Sequence, residues 1–206
     1  VEMRAPHLPA EWDLQSGIQL TWPHAGTDWA YMLKEVQECF VNIAREIAKD
    51  DWRGFFTADD AGIYEMKMLK GLSLAFAKCN AEEKIQYLER FIPLVDNWAI
   101  CDCVCGSLKP KKEEEQLYFD FAAAFAQKEG EYEARVGIVM LMNCFFTEKW
   151  IDKSLEVFKK VHMGKYYTDM GFAWALSMGL VKFEEKTIEF MENNKLSDFV
   201  YNKALQ

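Results

Sequence analysis

The feature that most limits the possible folds is an apolar pattern of helical period, which continues from Asp51 to the last residues of the chain. Apolar side chains recur every three or four positions, so that they share one face of a helix. One such stripe consists of Tyr64, Met68, Leu72 and Phe76. Because glycine, proline or asparagine interrupts the pattern at short intervals, the sequence predicts an all-α protein built from many helices.

The interruptions fall at Gly106, Pro110, Gly130, Gly164 and residues 193–194. The predicted helices cover about 63–78, 81–95, 96–107, 113–128, 131–146, 149–162, 166–180, 184–193 and 197–205, with a short helix or turn at 51–56 and an earlier helix that Thr27 or Asp28 can cap. Helix pairs of this length can stack as an α-solenoid, but the low identity between them leaves a globular helical bundle equally open.

The first 26 residues differ from the rest of the chain. They contain Pro6, Pro9 and Pro23, and the segment GIQLTWP is typical of a short strand that ends at a proline. We therefore predict an irregular leader over 1–26, holding one short strand, followed by a single helical-repeat domain over 27–206. A chain of 206 residues with 50% hydrophobic content can bury one full core without a second domain.

The charge balance restricts the possible partners. The net charge is −9 and the isoelectric point is near 5.0. This is the wrong overall sign for a protein that approaches DNA, so any DNA-binding surface has to be a local basic patch. The run Lys109, Lys111 and Lys112 is one candidate for such a patch.

The cysteines and the hydropathy indicate the compartment. The chain has six cysteines, and three of them alternate in the string CDCVC. That spacing matches neither a zinc motif nor a secreted disulfide framework, so reduced thiols in a cytoplasmic protein are expected. The sequence contains no signal peptide pattern and no apolar run of membrane-spanning length. The three histidines are scattered, and we expect no metal, no cofactor and no membrane partner.

A carboxylate and an indole form the most informative local pair. Trp98 and Asp102 are four residues apart, so they share one face of a predicted helix. An aspartate on such a face is desolvated unless it is paired or lines a cleft. The pair is therefore either a site that stabilises a cation, or a core tryptophan beside an aspartate that caps a neighbouring helix.

Three longer strings resemble a known family. DNWAICDCVCGSLK, EYEARVGIVMLMNCFF and YYTDMGFAWALSMGLVKF, together with the closing LSDFVYNKALQ, are similar to segments of the AlkD-like DNA alkylation repair glycosylases. The resemblance runs from about Arg45 to the end of the chain. It implies an α–α superhelix of HEAT-like repeats and an enzyme of the DNA-3-methyladenine/7-methylguanine glycosylase type.

This resemblance also implies particular roles. Asp102, Trp98 and Trp174 would be the catalytic residues, with Asp102 stabilising a sugar cation and orienting water. Arg135 would contact the DNA backbone beside Lys109, Lys111 and Lys112. The expected partner is double-stranded DNA with alkylated bases, bound by a monomer at the nucleoid. Ser177 replaces an arginine of the family and, with the net charge, favours an alternative, a non-catalytic HEAT-like scaffold that binds DNA or protein.

A second resemblance concerns the beginning of the chain. The string LPAEWDLQSGIQLTWPHAGTDWAYMLKEVQECFVNIAREIA, about residues 8–48, resembles the N-terminus of agmatine deiminase, a guanidine-hydrolysing enzyme with a penteine propeller fold. That family carries its catalytic cysteine and histidine far downstream, and no segment after Lys49 matches them. We therefore interpret the chain as a hybrid, in which a deiminase-like opening precedes a glycosylase-like body.

Overall fold

The computed structural model of the protein describes residues 33–59 and 62–206, which form eleven α-helices and contain no β-strand. The helices are α1 (Leu33–Lys49), α2 (Trp52–Thr57), α3 (Tyr64–Phe76), α4 (Ala81–Phe91), α5 (Trp98–Ser107), α6 (Glu115–Ala126), α7 (Glu131–Phe145), α8 (Ile151–Phe158), α9 (Tyr166–Lys182), α10 (Glu184–Asn193) and α11 (Asp198–Ala204), with a 3-10 helix at Ile92–Leu94. The all-α prediction is confirmed. The predicted strand and the boundary between 26 and 27 lie outside the described residues, so the domain division stays a prediction.

The helices pack in two rows. The inner row consists of α1, α3, α5, α7, α9 and α11, each in contact with the next. The outer row runs through α2, α4, α6, α8 and α10, where Trp52 and Phe56 of α2 contact Tyr87 of α4 and the later helices contact one another in order. Stacked helix pairs of this kind form the predicted α–α superhelix.

Apolar side chains fill the space between the two rows. Phe91, Ile100, Phe145, Phe158 and Phe172 are at most 2% exposed, and they come from both rows. Burial of such large side chains provides the main favourable term for folding, about 1.5–3 kcal/mol each. The core therefore runs along the whole superhelix and holds the inner helices in a fixed order.

Short polar caps determine where the helices begin. The side chain of Asn97 accepts a hydrogen bond from the backbone N–H of Ile100 at 3.0 Å, so α5 begins at Trp98. The side chain of Asn80 accepts one from the N–H of Glu83 at 2.7 Å and begins α4 in the same way. The start of α5 matters most for function, because it places both members of the predicted indole–carboxylate pair in the first five residues of that helix.

No helix among residues 33–59 and 62–206 is long and apolar enough to span a membrane.

Candidate functional site

A buried ion pair lies at the centre of the inner row. Arg135 of α7 donates two hydrogen bonds to Asp102 of α5, from Nε to Oδ1 at 3.0 Å and from Nη2 to Oδ2 at 2.8 Å. The side chains are 7% and 15% exposed, respectively. This two-pronged geometry is the strongest form of a carboxylate–guanidinium contact. The carboxylate retains a small solvent-facing part, whereas the guanidinium is enclosed.

The third helix of the site is α9. Arg135 Nη1 donates a hydrogen bond to the backbone oxygen of Tyr167 at 2.7 Å. Gly171 leaves room for the guanidinium, since a Cβ at that position would lie 3.2 Å from both Cγ and Nη1 of Arg135. Burial lowers the pKa of Arg135, but the hydrogen bonds and charge of Asp102 outweigh burial and raise it above its ordinary value. The pair therefore joins α5, α7 and α9 and stays charged.

Two exposed tryptophans and two stacked tyrosines lie on the three helices that hold this pair. Trp98 lies one turn before Asp102 on α5 and is 53% exposed. Trp174 lies one turn after Gly171 on α9 and is 40% exposed. The rings of Tyr132 and Tyr167 stack with centroids 5.4 Å apart. We call the surface formed by Trp98, Asp102, Tyr132, Tyr167 and Trp174 the aromatic site.

The structure places the three predicted catalytic residues on two helices that both pack against α7. Trp98 and Asp102 share α5, and Trp174 follows on α9, with α7 packed between the two helices. Exposed tryptophans are unusual in a chain that buries most of its large apolar side chains, and exposed aromatic surface commonly marks a binding site. The catalytic roles of these three residues remain predictions.

The charges at the aromatic site favour a cationic ligand. Burial is the main cause that raises the pKa of the Tyr132 hydroxyl, and the negative charges of Glu131 and Asp96 raise it further. Asp96 is paired with Lys67, and Glu131 accepts a hydrogen bond from the N–H of Tyr167. Together with Asp102 and Arg135 these groups amount to three carboxylates and two cations, a net charge of −1.

The residues predicted to bind DNA do not come together. Arg135 is buried with Asp102, so its guanidinium cannot reach a phosphate. Lys109 and Lys111 instead line a separate cleft of about 950 Å³, which begins at the end of α5. Lys112 is exposed but does not line that cleft. The lysines and Arg135 therefore belong to two different environments.

Three thiols of the described body are poorly suited to nucleophilic catalysis. All six cysteines are free. Burial raises the pKa of Cys79, Cys103 and Cys144, the last to about 11, so these thiols are protonated at neutral pH. Within residues 33–59 and 62–206, no group of three or more His, Cys, Asp or Glu side chains is arranged to hold a metal ion.

A comparison with protein families decides between the two resemblances. The sequence model of the Porphyromonas-type peptidyl-arginine deiminases matches residues 7–123, which is more than half of the chain. The chain belongs to this family. The match continues beyond residue 48, passes through α1–α5 and ends within α6. No curated protein and no solved structure matches the chain.

The assignment of residues 45–206 to the AlkD-like glycosylases is therefore wrong, and so is the interpretation of the chain as a hybrid divided near residue 48. The deiminase match covers the first of the three strings on which that assignment depended. Short strings of helical sequence share their apolar spacing with many helical proteins, which makes local likeness a weak guide to family. The propeller strands that a deiminase resemblance implies are not formed by the described part of the chain.

The predicted function is corrected with the family. A DNA repair glycosylase acting on alkylated purines is wrong, and the alternative of a DNA- or protein-binding scaffold has no support from the comparison. The geometry agrees with this correction, because Arg135 is buried against Asp102 and its guanidinium is not available to a phosphate.

Sequence reasoning missed the partner of Asp102. The signal was present in α7, where residues 134–142 are all buried. A helix that is apolar on every side lies within the core, and an arginine at its start is then buried and requires a carboxylate. The resemblance instead assigned Arg135 to the DNA backbone, a role that requires an exposed guanidinium.

Proposed function

We propose that the protein recognises the guanidinium side chain of arginine within a peptide, and that the aromatic site binds it. The family supports this proposal, because peptidyl-arginine is the group named in the family's description. The observation that carries the proposal is the pair of exposed tryptophans, Trp98 and Trp174, on the two helices that flank the Asp102–Arg135 ion pair.

The chemistry of the site suits a planar cation. A guanidinium stacks on the face of an indole and gains about 0.5–2 kcal/mol from the ring's electron-rich surface. Arg135 occupies two of the roughly four lone-pair positions on the Asp102 carboxylate, so the solvent-facing part can still accept a hydrogen bond from a ligand. The net negative charge of the site adds long-range attraction for a cation.

Arginine suits this site better than lysine does. A guanidinium is planar and weakly hydrated, so it loses little solvation free energy on stacking against Trp98 or Trp174. The lysine ammonium is a compact and strongly hydrated charge. We therefore expect the site to select arginyl over lysyl peptides, and over citrullyl peptides, which have no charge.

The test is a titration followed by tryptophan fluorescence. An acetylated and amidated arginyl tripeptide should quench emission saturably and bind about tenfold more tightly than its lysyl or citrullyl counterpart. Trp98→Ala and Trp174→Ala should each weaken binding by about tenfold. The matched control is Ile188→Ala, which removes an exposed apolar side chain from α10 in the outer row and should leave the affinity unchanged.

Equal affinity for all three peptides, or equal effects of the tryptophan and Ile188 variants, would contradict arginine recognition at this site. Citrulline and ammonia should be measured in the same samples, since binding and turnover are separate questions.

The six free cysteines support a reducing, cytoplasmic location, which we retain as part of the proposal.

A further inference from the structure

The second distinctive surface of the protein is a cleft lined by five cations. Among the described residues, the cations Arg45, Lys78, Lys84, Lys109 and Lys111 line it, and Glu114 is the one carboxylate in that lining. Five positive charges and one negative charge leave +4 in a cleft of about 950 Å³, although the whole chain carries −9. We call this surface the basic cleft.

We infer that the basic cleft binds an oligophosphate, that is, a small ligand with two or more phosphate groups. Like charges this close repel one another, and neutralising carboxylates are plentiful elsewhere in the chain. Their scarcity in the cleft is explained if an anionic ligand supplies the missing negative charge.

Lys84 lines the cleft, and its hydrogen-bond partners hold its side chain without neutralising the charge. Lys84 Nζ donates hydrogen bonds to the backbone oxygens of Ala75 at 2.9 Å and Ala77 at 2.7 Å. Both partners are neutral carbonyl groups at the end of α3. Lys84 is thus held in the lining of the cleft by neutral groups, without a carboxylate among its hydrogen-bond partners.

The remaining cations also lack a strong acidic partner. Arg45 lies over the ring of Phe76 at 5.3 Å and donates to the neutral Oδ1 of Asn42 at 3.2 Å. Lys111 is the exception, since its Nζ forms a long ion pair with Glu114 Oε1 at 3.5 Å and its backbone N–H donates a hydrogen bond to Glu114 Oε2 at 3.1 Å. Within the described residues, Lys78 and Lys109 form no ion pair.

The residue types suit an anion whose charge is spread over several groups. Four of the five cations are lysines, whose ammonium groups act as separate point charges and suit phosphate oxygens spread over several groups. The arginine fork pairs with carboxylate and phosphate alike, so Arg45 favours neither anion, and the titration compares the two directly. Its volume is that of a site for a small molecule rather than for a nucleic acid duplex.

The experiment is calorimetric titration of the full chain with inorganic tripolyphosphate. Binding should saturate at one ligand per chain, with an affinity at least about tenfold higher than that for orthophosphate or for a hexaglutamate peptide. The double variant Lys78→Gln/Lys109→Gln should raise the Kd by about tenfold or more, since both side chains are exposed and line the cleft. The matched control is Lys112→Gln, which removes an exposed charge from the same loop outside the cleft and should change the Kd by less than about twofold.

A second measurement locates the ligand independently of the lysine variants. Cys79 lines the cleft, whereas the exposed Cys39 does not. Tripolyphosphate should slow the alkylation of Cys79, measured by peptide mass spectrometry, and leave the labelling of Cys39 unchanged.

Three results would overturn the inference. They are the absence of saturable binding, an equal loss of affinity in the Lys112→Gln control, and tighter binding of hexaglutamate than of tripolyphosphate. The last result would assign the cleft to an acidic peptide.

Discussion

Asp102 and Arg135 form an ion pair in which each side chain compensates the charge of the other. Each would be an expensive charge in the core if it were alone, and together they satisfy two hydrogen bonds of the guanidinium. The third hydrogen bond, to the backbone oxygen of Tyr167, connects the pair to α9. The pair therefore positions the aromatic site and is structurally sensitive to any change in either charge.

We expect Asp102→Asn to lower the free energy of unfolding by about 3–5 kcal/mol, because it leaves the buried Arg135 charge uncompensated. Urea denaturation followed by circular dichroism measures this loss. The control is Asp152→Asn, which removes an exposed ion pair with Lys186 and should cost less than about 1 kcal/mol. Equal losses in the two variants would show that the Asp102 pair does not have the stabilising role that its burial indicates.

Combined replacement of the pair provides a second check at the residue scale. Asp102→Leu/Arg135→Met removes both buried charges, and we expect it to recover at least about 2 kcal/mol relative to Asp102→Asn. The same variant should lose arginyl peptide binding, because the carboxylate that faces the ligand is gone. Denaturation and the fluorescence titration separate these two effects.

At the scale of helices, close packing of α6 against α7 depends on one glycine. A Cβ at Gly137 would lie 2.1 Å from the backbone nitrogen of Ala126 and 2.5 Å from the backbone oxygen of Ala122. Backbone atoms of a packed helix cannot move aside as a flexible side chain can. The contact between α6 and α7 thus requires that no side chain be present at this position of α7.

Gly137→Ala should therefore force the two helices apart and lower the free energy of unfolding by about 1–3 kcal/mol or more. The matched control is Gly106→Ala in α5, where the nearest atom to the added Cβ is Asn143 Nδ2 at 3.9 Å. This control should be neutral or stabilising by up to about 1 kcal/mol, because alanine is the better helix former. Thermal unfolding of both variants measures the difference, and a neutral Gly137→Ala would contradict the observed packing.

At the scale of the whole molecule, several weak acids are kept protonated by burial along the superhelix. Burial raises the pKa of Tyr64 to about 12 and that of Cys144 to about 11, and it raises the pKa of Tyr118 further. In the unfolded chain these groups ionise at lower pH, so the unfolded state loses its protons first. The free energy of unfolding is therefore at its full value below about pH 9, and it falls as the pH rises towards the pKa values of these groups in the folded state.

We accordingly expect the thermal midpoint to fall steadily between pH 9 and pH 11. The Cys144 thiol alone should contribute a loss of about 2 kcal/mol, from a pKa raised from 9.0 to about 11. Cys144→Ala should flatten this part of the profile, whereas Cys39→Ala, at an exposed thiol, should not. A midpoint independent of pH over this interval would show that burial does not keep the thiol protonated.

The sequence by itself determined the helical elements. Its predicted helix over 184–193 has the observed bounds, and that over 131–146 differs from the observed Glu131–Phe145 by one residue. It also placed Trp98 and Asp102 on one helix. Helix bounds depend on apolar period and on caps such as Asn97, and these signals act over only a few residues of chain.

Only the tertiary structure decided which side chains meet. Arg135 is buried against Asp102 although the two are 33 residues apart, and the basic cleft combines side chains of α1 with those near the ends of α3 and α5. Similarity of short strings suggested a function that the family comparison overturned. The physical reason is that helix periodicity records which face is apolar, whereas the partner of a buried charge depends on how separate helices pack, and no local pattern encodes that packing.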